Sequence, residues 1–147
     1  SSEDHHWPGL PLEIVVHIGE QVVRQMVLLK LLGIVHCDVK MDNVLIRSAH
    51  KEKPIWLIEA VLADFGCGMY ERDAVHKHVQ SRYNRSPEAI LELRPYTCAI
   101  DMWSIGCMLV EMVTRRPLFQ STDELHQLHV ITSVLGPVPF EMLDRAV

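Results

Sequence analysis

Between Gly33 and Ile46 the chain reads GIVHCDVKMDNVLI, and polar groups interrupt two apolar runs: Asp38, Lys40, Asp42 and Asn43. Further on, Asp64 ends another apolar segment and precedes Phe65-Gly66. Taken as a set, Asp38, Lys40, Asn43 and Asp64 have the chemistry of phosphoryl transfer. That reaction asks for a carboxylate to orient a hydroxyl and accept its proton, a cation on the moving phosphate, and oxygen ligands for magnesium. Magnesium keeps waters and takes phosphate oxygens, so one carboxylate and one amide carbonyl from the protein meet its need. In an extended segment Asp38 and Lys40, two apart, point to the same side.

Such groups act only if their neighbours hold them still. NVLI (43–46) and IWLIEAVLA (55–63) read as short strands joined by the charged loop RSAHKEKP, and paired as a hairpin they bring Asn43 and Asp64 to one rim, where a metal bridges them. The apolar flanks then anchor a short polar loop rigidly. Upstream, residues 11–32 read as a long helix, with Pro11 in the first turn and Gly33 just past the end. Val15, Ile18, Val22, Met26 and Leu29 give it an apolar face. Residues 67–97 carry little periodicity and read as a long functional loop with short turns. A buried helix follows near 101–114 and RRPLF reads as a turn. A last helix is expected from Ser121, with Glu124 completing a capping box, Leu125, Leu128, Ile131 and Leu135 as its face, and Gly136-Pro137 as its stop.

Composition narrows the classes. The 147 residues suit one domain or part of one, and 48% hydrophobic residues support a core. A net charge of −5 argues against a nucleic-acid surface. The longest apolar run, residues 98–113, is too short to span a membrane and contains Asp101 and Glu111, so no membrane partner is expected. No basic start followed by an apolar run marks a signal peptide. Residues 1–10 read as a linker or cut end. Cys37, Cys67, Cys98 and Cys107 form no CxxC pair, which suits reduced thiols in the cytoplasm or nucleus. His76/His78 and His126/His129 have spacings open to zinc, but no cysteine or acid cluster accompanies them, so they read as surface composition.

Four motifs in order carry a resemblance. HCDVKMDN resembles the catalytic loop of eukaryotic protein kinases, DFG (64–66) their metal-binding motif, SPE (86–88) the segment closing their activation loop, and DMWSIGC (101–107) their central buried helix. The chain from about residue 10 resembles a kinase C-terminal lobe: mainly α, with a small β-hairpin at the catalytic loop. Residues 11–147 would form a partial kinase domain. Lys40, two after Asp38, resembles the serine/threonine-directed pattern. QSRYNRSPEAIL and PLFQSTDELHQLHVITSVLG resemble the CMGC group, and HCD with QSR resembles the dual-specificity tyrosine-regulated (DYRK) kinases most closely.

The resemblance implies ATP and magnesium as cofactors and a protein substrate. It makes Asp38 the base, Lys40 the phosphate clamp, Asn43 and Asp64 the magnesium ligands, and Leu45 the residue beneath the adenine. Lys40, Asn43, Leu45 and Asp64 would thus bind the nucleotide and its metal. Around them the family uses His36, Phe65, Gly66 and Asp101 structurally, Arg82 and Arg85 to hold an activation-loop phosphate, and Glu88 to pair with an arginine. Here His76-Lys77-His78 stand where related kinases carry Tyr-x-Tyr, so the phosphate acceptor is absent. No Gly-rich loop, strand lysine or helix glutamate precedes the catalytic loop, so the N-terminal lobe is expected to be absent. An apolar patch at Leu45, Leu62 and Phe65 would then be uncovered and open to self-association or a partner. Two further readings stay open: a catalytically dead pseudokinase-like interaction module, and a fragment without a role of its own.

Overall fold

The computed structural model describes residues 9–47, 54, 57–73 and 78–146. The first helix, α1, runs Leu12–Leu31 and buries the five predicted residues together with Gly19. Its partner is α3, Ala99–Thr114, the helix expected from the central apolar run. A methyl at Gly19 would meet the end of the Leu109 side chain at 2.9 Å, so the leucine packs over this glycine. Val15, Ile18, Val22, Met26 and Leu29 of α1 form one core with Ile105, Met108 and Met112 of α3 and with Val39, Val44, Ala60 and Leu62. That core lies directly beneath the polar loop.

The hairpin is present. β2, Val44–Arg47, pairs antiparallel with β3, Glu59–Leu62, with Val44 opposite Leu62 and Arg47 opposite Glu59. The second strand is shorter than expected, beginning at Glu59; residues 55 and 56 lie outside the described residues. A second two-stranded sheet, not foreseen, joins β1, Ile34–Val35, to β4, Met69–Tyr70. It ties the entry of the polar loop to the chain just past DFG. Among the described residues the expected 67–97 loop therefore holds β4, two single-turn 3-10 segments, Glu71–Asp73 and Arg82–Asn84, and a short helix α2, Pro87–Ile90. Ser86 caps α2 by accepting from the N–H of Ala89, with Pro87 at the first helical position.

Two corrections concern α4, Glu124–Leu135. Asp123, not Ser121, caps it, accepting from the N–H of His126 at 2.9 Å. Ser121 is buried and gives its hydroxyl to Gln127 instead. The expected apolar face is also narrower: Leu125 and Leu135 are 80% and 63% exposed, and only Gln127 and Ile131 are buried. Ile131 joins Cys107 and Phe119, and the Trp103 ring stacks on Phe119 at 5.7 Å. A last helix, α5, Phe140–Arg145, follows the Gly136-Pro137 stop. Gly9 and Leu10, placed in the linker, are tied to α3: the N–H of Leu10 donates to the carbonyl of Met112 at 2.9 Å. No described helix is long and apolar enough to cross a membrane.

Candidate active site

The polar loop hangs from α3. Asp101 is fully buried, and its two oxygens accept the backbone N–H groups of His36 at 2.7 Å and Cys37 at 2.9 Å. Burial pushes the Asp101 carboxyl up, opposed by these two donors. Cys37 is held at φ +66°, a left-handed conformation that a side chain ordinarily avoids. The clamp on its N–H offsets that strain. His36 Nδ1 accepts from the N–H of Asp38 at 3.3 Å, which leaves Nε2 to donate to the carbonyl of Ala63 at 3.0 Å. The Phe65 ring lies 4.7 Å from the imidazole. His36 thus spans from the polar loop to the DFG segment.

Asp38 is presented by this scaffold. Its Oδ2 accepts from Lys40 Nζ at 2.8 Å and Asn43 Nδ2 at 3.2 Å, and its Oδ1 accepts from the hydroxyl of Ser81 at 2.7 Å. Lys40 also donates to Ser81 Oγ at 3.2 Å, closing a triangle. Burial works to raise the Asp38 carboxyl, but the hydrogen bonds from Lys40 and Ser81 outweigh it and hold it below the ordinary range. The hydrogen bond to Asp38 in turn raises Lys40. An open cleft of about 440 Å³ adjoins this triangle, lined by Lys40, Asp42, Ser81, Arg82, Tyr83, Asn84 and Glu111. Burial raises the Glu111 carboxyl, with Asp42 adding to it.

The backbone ties Asn43 to Ala63, the residue before Asp64. The N–H of Ala63 donates to the carbonyl of Asn43 at 2.8 Å, one step beyond the β2–β3 register. Asn43 is buried, and its Nδ2 is spent on the carbonyl and carboxylate of Asp38, which turns Oδ1 the other way. Asp64 is exposed at φ +61°, and its Oδ1 accepts from the N–H of Gly66 at 3.2 Å. An amide oxygen and a carboxylate, both clear of other protein donors among the described residues, make a hard-oxygen pair that fits magnesium. Among the described residues no three His, Cys, Asp or Glu side chains gather around a common point.

Ser81 was not singled out for this role in the sequence; its partners lie 43 and 41 residues away. Its neighbour Gln80 is buried at φ +66°. The Gln80 amide donates to Ile100 O and Ser104 Oγ at 2.7 Å each, and its Oε1 accepts from the N–H of Ser86 at 3.0 Å. The backbone N–H of Gln80 reaches the carbonyl of Cys37 at 2.7 Å. Gln80 thereby locks the segment carrying Ser81 to both the polar loop and α3.

Arg82 donates to the carbonyl of Thr122 at 2.8 Å, and Arg85 pairs with Glu124 at the start of α4. Both arginines therefore have protein partners. Of His76-Lys77-His78 only His78 is within the described residues; its Nδ1 is 3.8 Å from Glu124 Oε1. One oxygen of Glu88 is buried without a hydrogen-bond partner among the described residues, as is Trp103 Nε1. Leu45 and Phe65 are 57% and 48% exposed, as expected for the patch, but Leu62 is buried beneath the hairpin. All four cysteines are free thiols. Burial pushes Cys37 up to about 12, Cys98 to about 11 and Cys107 to about 12, so these three are poor nucleophiles.

The family profile described as the protein kinase domain matches residues 7–142. The serine/threonine-protein kinase ppk15 of Schizosaccharomyces pombe is 39% identical over 97% of the chain, a dual specificity protein kinase YAK1 homolog of Arabidopsis thaliana 40% over 89%, and human dual specificity tyrosine-phosphorylation-regulated kinase 4 35% over 98%. These matches span 25%, 13% and 26% of the relatives' own lengths.

Proposed function

This chain belongs to the protein kinase family, and from that premise we propose that it carries the catalytic lobe of a DYRK-like kinase that phosphorylates serine or threonine hydroxyls of proteins. The observation that carries this reading is the Asp38 carboxylate, fixed by Lys40, Asn43 and Ser81, with Lys40 and Ser81 themselves lining an open cleft. A hydroxyl entering the cleft meets Asp38, which orients it and takes its proton. Asp38 is held ionised by its neighbours, so it is ready to accept. Lys40 stays charged beside it and neutralises the moving phosphate. Asn43 Oδ1 and Asp64 would hold magnesium, which supplies charge neutralisation on the phosphates of ATP. Leu45, exposed on β2, offers an apolar seat for the adenine.

Leu45, Val61 and Phe65 leave apolar surface exposed at the rim, and we assign it to contact with a second surface, an N-terminal lobe or a protein partner. The same rim supports the other reading, a module that binds a protein without turnover. Free thiols suit the cytoplasm or nucleus.

The test uses the chain joined to a kinase N-terminal lobe. Asp64→Asn and Asn43→Ala are each expected to weaken metal-dependent ATP binding measured by calorimetry. Asp38→Asn is expected to leave binding nearly intact and abolish transfer of labelled phosphate, because a base acts in the transition state. Equal loss of binding in all three variants would overturn these roles, and binding without transfer in the unmodified chain would favour the interaction module.

A further inference from the structure

β3 belongs to a two-stranded hairpin, so among the described residues one of its edges has a strand partner and the other has none. The other edge faces α1, where His17, Gln21 and Gln25 recur at every fourth residue on one helical face. Gln25 Oε1 accepts from the N–H of Leu62 at 2.9 Å, while its Nε2 donates to the carbonyl of Ala60 at 2.9 Å. One turn earlier, Gln21 Oε1 accepts from the N–H of Ala60 and its Nε2 donates to the carbonyl of Ile58, both at 3.0 Å. His17 Nε2 lies 3.0 Å from the same Ile58 carbonyl. Four residues of helix rise about 6 Å, and two residues of antiparallel strand span about 6.8 Å. Successive turns of α1 therefore meet alternate residues of the strand, and the side-chain amides stand in for a third strand.

The ladder ends where the metal site begins. Leu62, held by Gln25, is followed by Ala63, whose N–H is held by Asn43 and whose carbonyl is held by His36. Asp64 comes next, and among the described residues its own side chain is anchored to Gly66 alone, within the same turn. Its location is inherited from the backbone before it.

We propose that Gln25, supported by Gln21, is a positioning residue for Asp64: the amide ladder of α1 fixes the height of β3 and so the reach of the Asp64 carboxylate toward Asn43. This rests on the reading of Asn43 and Asp64 as metal ligands. The apolar face of α1 already secures the helix against α3, so the amides on its other face set register more than they set stability. Gln25 acts on the residue nearest Asp64, and Gln21 acts one turn away. Their effects on the metal differ even where their effects on stability do not.

The test measures binding of manganese(II), as the probe, to the chain in the presence of ATP, by relaxation enhancement of water protons. It is paired with metal-free ATP binding, urea unfolding and amide hydrogen exchange at Ala60 and Leu62. Gln25→Leu is expected to weaken manganese binding about tenfold, within the range for losing a group that orients a metal ligand. Gln21→Leu should weaken it much less at similar loss of stability. Metal-free ATP binding should be unchanged in both, and the Leu62 amide should exchange faster in Gln25→Leu. Should Gln25→Leu fail to fold, Gln25→Glu, which keeps the acceptor for Leu62 and loses the donor to Ala60, is compared with Gln21→Glu in the same way. Unchanged manganese affinity in the Gln25 variants, with affinity lost in Asp64→Asn, would overturn the positioning role and leave the metal ligands standing. So would equal losses from Gln21 and Gln25 that follow stability alone. If Asp64→Asn also leaves manganese binding unchanged, the metal-ligand reading falls and takes this proposal with it.

Discussion

Asp38 accepts hydrogen bonds from three side chains, those of Lys40, Asn43 and Ser81, whereas Asp64 lies exposed and accepts one backbone N–H, from Gly66. The difference follows from what surrounds each. The loop carrying Asp38 is clamped from below by Asp101 and from the side by Gln80, both buried. The loop carrying Asp64 is fixed at its entry by Ala63 and then runs through exposed Phe65, Gly66 and Cys67. A base benefits from being fixed before the substrate arrives, since no reorganisation is then needed during reaction. A metal ligand must instead keep lone pairs free until the metal comes. On the roles proposed above, one half of the site would be finished by the protein and the other half left for what binds there.

The comparison breaks most readily at Asp101. Asp101→Ala strips the acceptor from two buried N–H groups, each worth about 1–3 kcal/mol when left unsatisfied, so a loss of about 3 kcal/mol or more is expected in urea unfolding. Asp64→Ala should leave the unfolding midpoint nearly unchanged. Similar midpoints for the two variants would erase the contrast between a built loop and an open one.

A smaller effect sharpens the same contrast through pH. Asp38 is held below its ordinary value, so its contribution to stability is present above the unfolded carboxylate pKa of about 4 and is lost as pH falls through the lower folded value. Lys40→Met or Ser81→Ala removes a hydrogen bond that lowers it. Each should move the Asp38 titration upward, read from carboxyl carbon chemical shifts, and flatten this part of the acid dependence. A titration that stays put in both variants would mean that neither partner holds the carboxylate.

At the rim the expected change in stability is small. Leu45→Ser and Phe65→Ser replace half-exposed side chains and should shift unfolding by about 1 kcal/mol or less. Sedimentation should nevertheless show weaker self-association, because the apolar rim is reduced. Unchanged association would move the sticky surface elsewhere, to the groove between α1 and α3 lined by Val16, Val23 and Val113.

Periodicity made α1 legible, because it buries a stripe whose spacing is local, and a long apolar run made α3 legible. The hairpin was legible too, since its strands flank motifs of recognisable chemistry. β1 and β4 escaped because two-residue strands carry no alternation to read. Ser81 escaped because its importance lies in contacts made across more than forty residues, and the hydroxyl looks like any other in a polar loop. Gln21 and Gln25 escaped for a related reason: an amide on the polar face of a helix ordinarily meets water, and only the fold brings a strand edge to it. In the Ser121-Thr122-Asp123 run any of the three could cap a helix. Asp123 does so because Ser121 is drawn into the interior by Gln127. Leu125 and Leu135 misled because α4 buries only a narrow stripe.

The occupied edge of β3 also governs how this protein can go wrong. An open strand edge is a template on which identical chains add strand to strand and grow into fibrils. Here the outward N–H and C=O groups of Ala60, with the N–H of Leu62 and the carbonyl of Ile58, are already taken by glutamine side chains. Strand addition at this edge is therefore blocked, whereas the outer edge of β2 has no strand partner among the described residues. Breaking the glutamine ladder would bare the β3 edge as well and give strand-to-strand addition a second template.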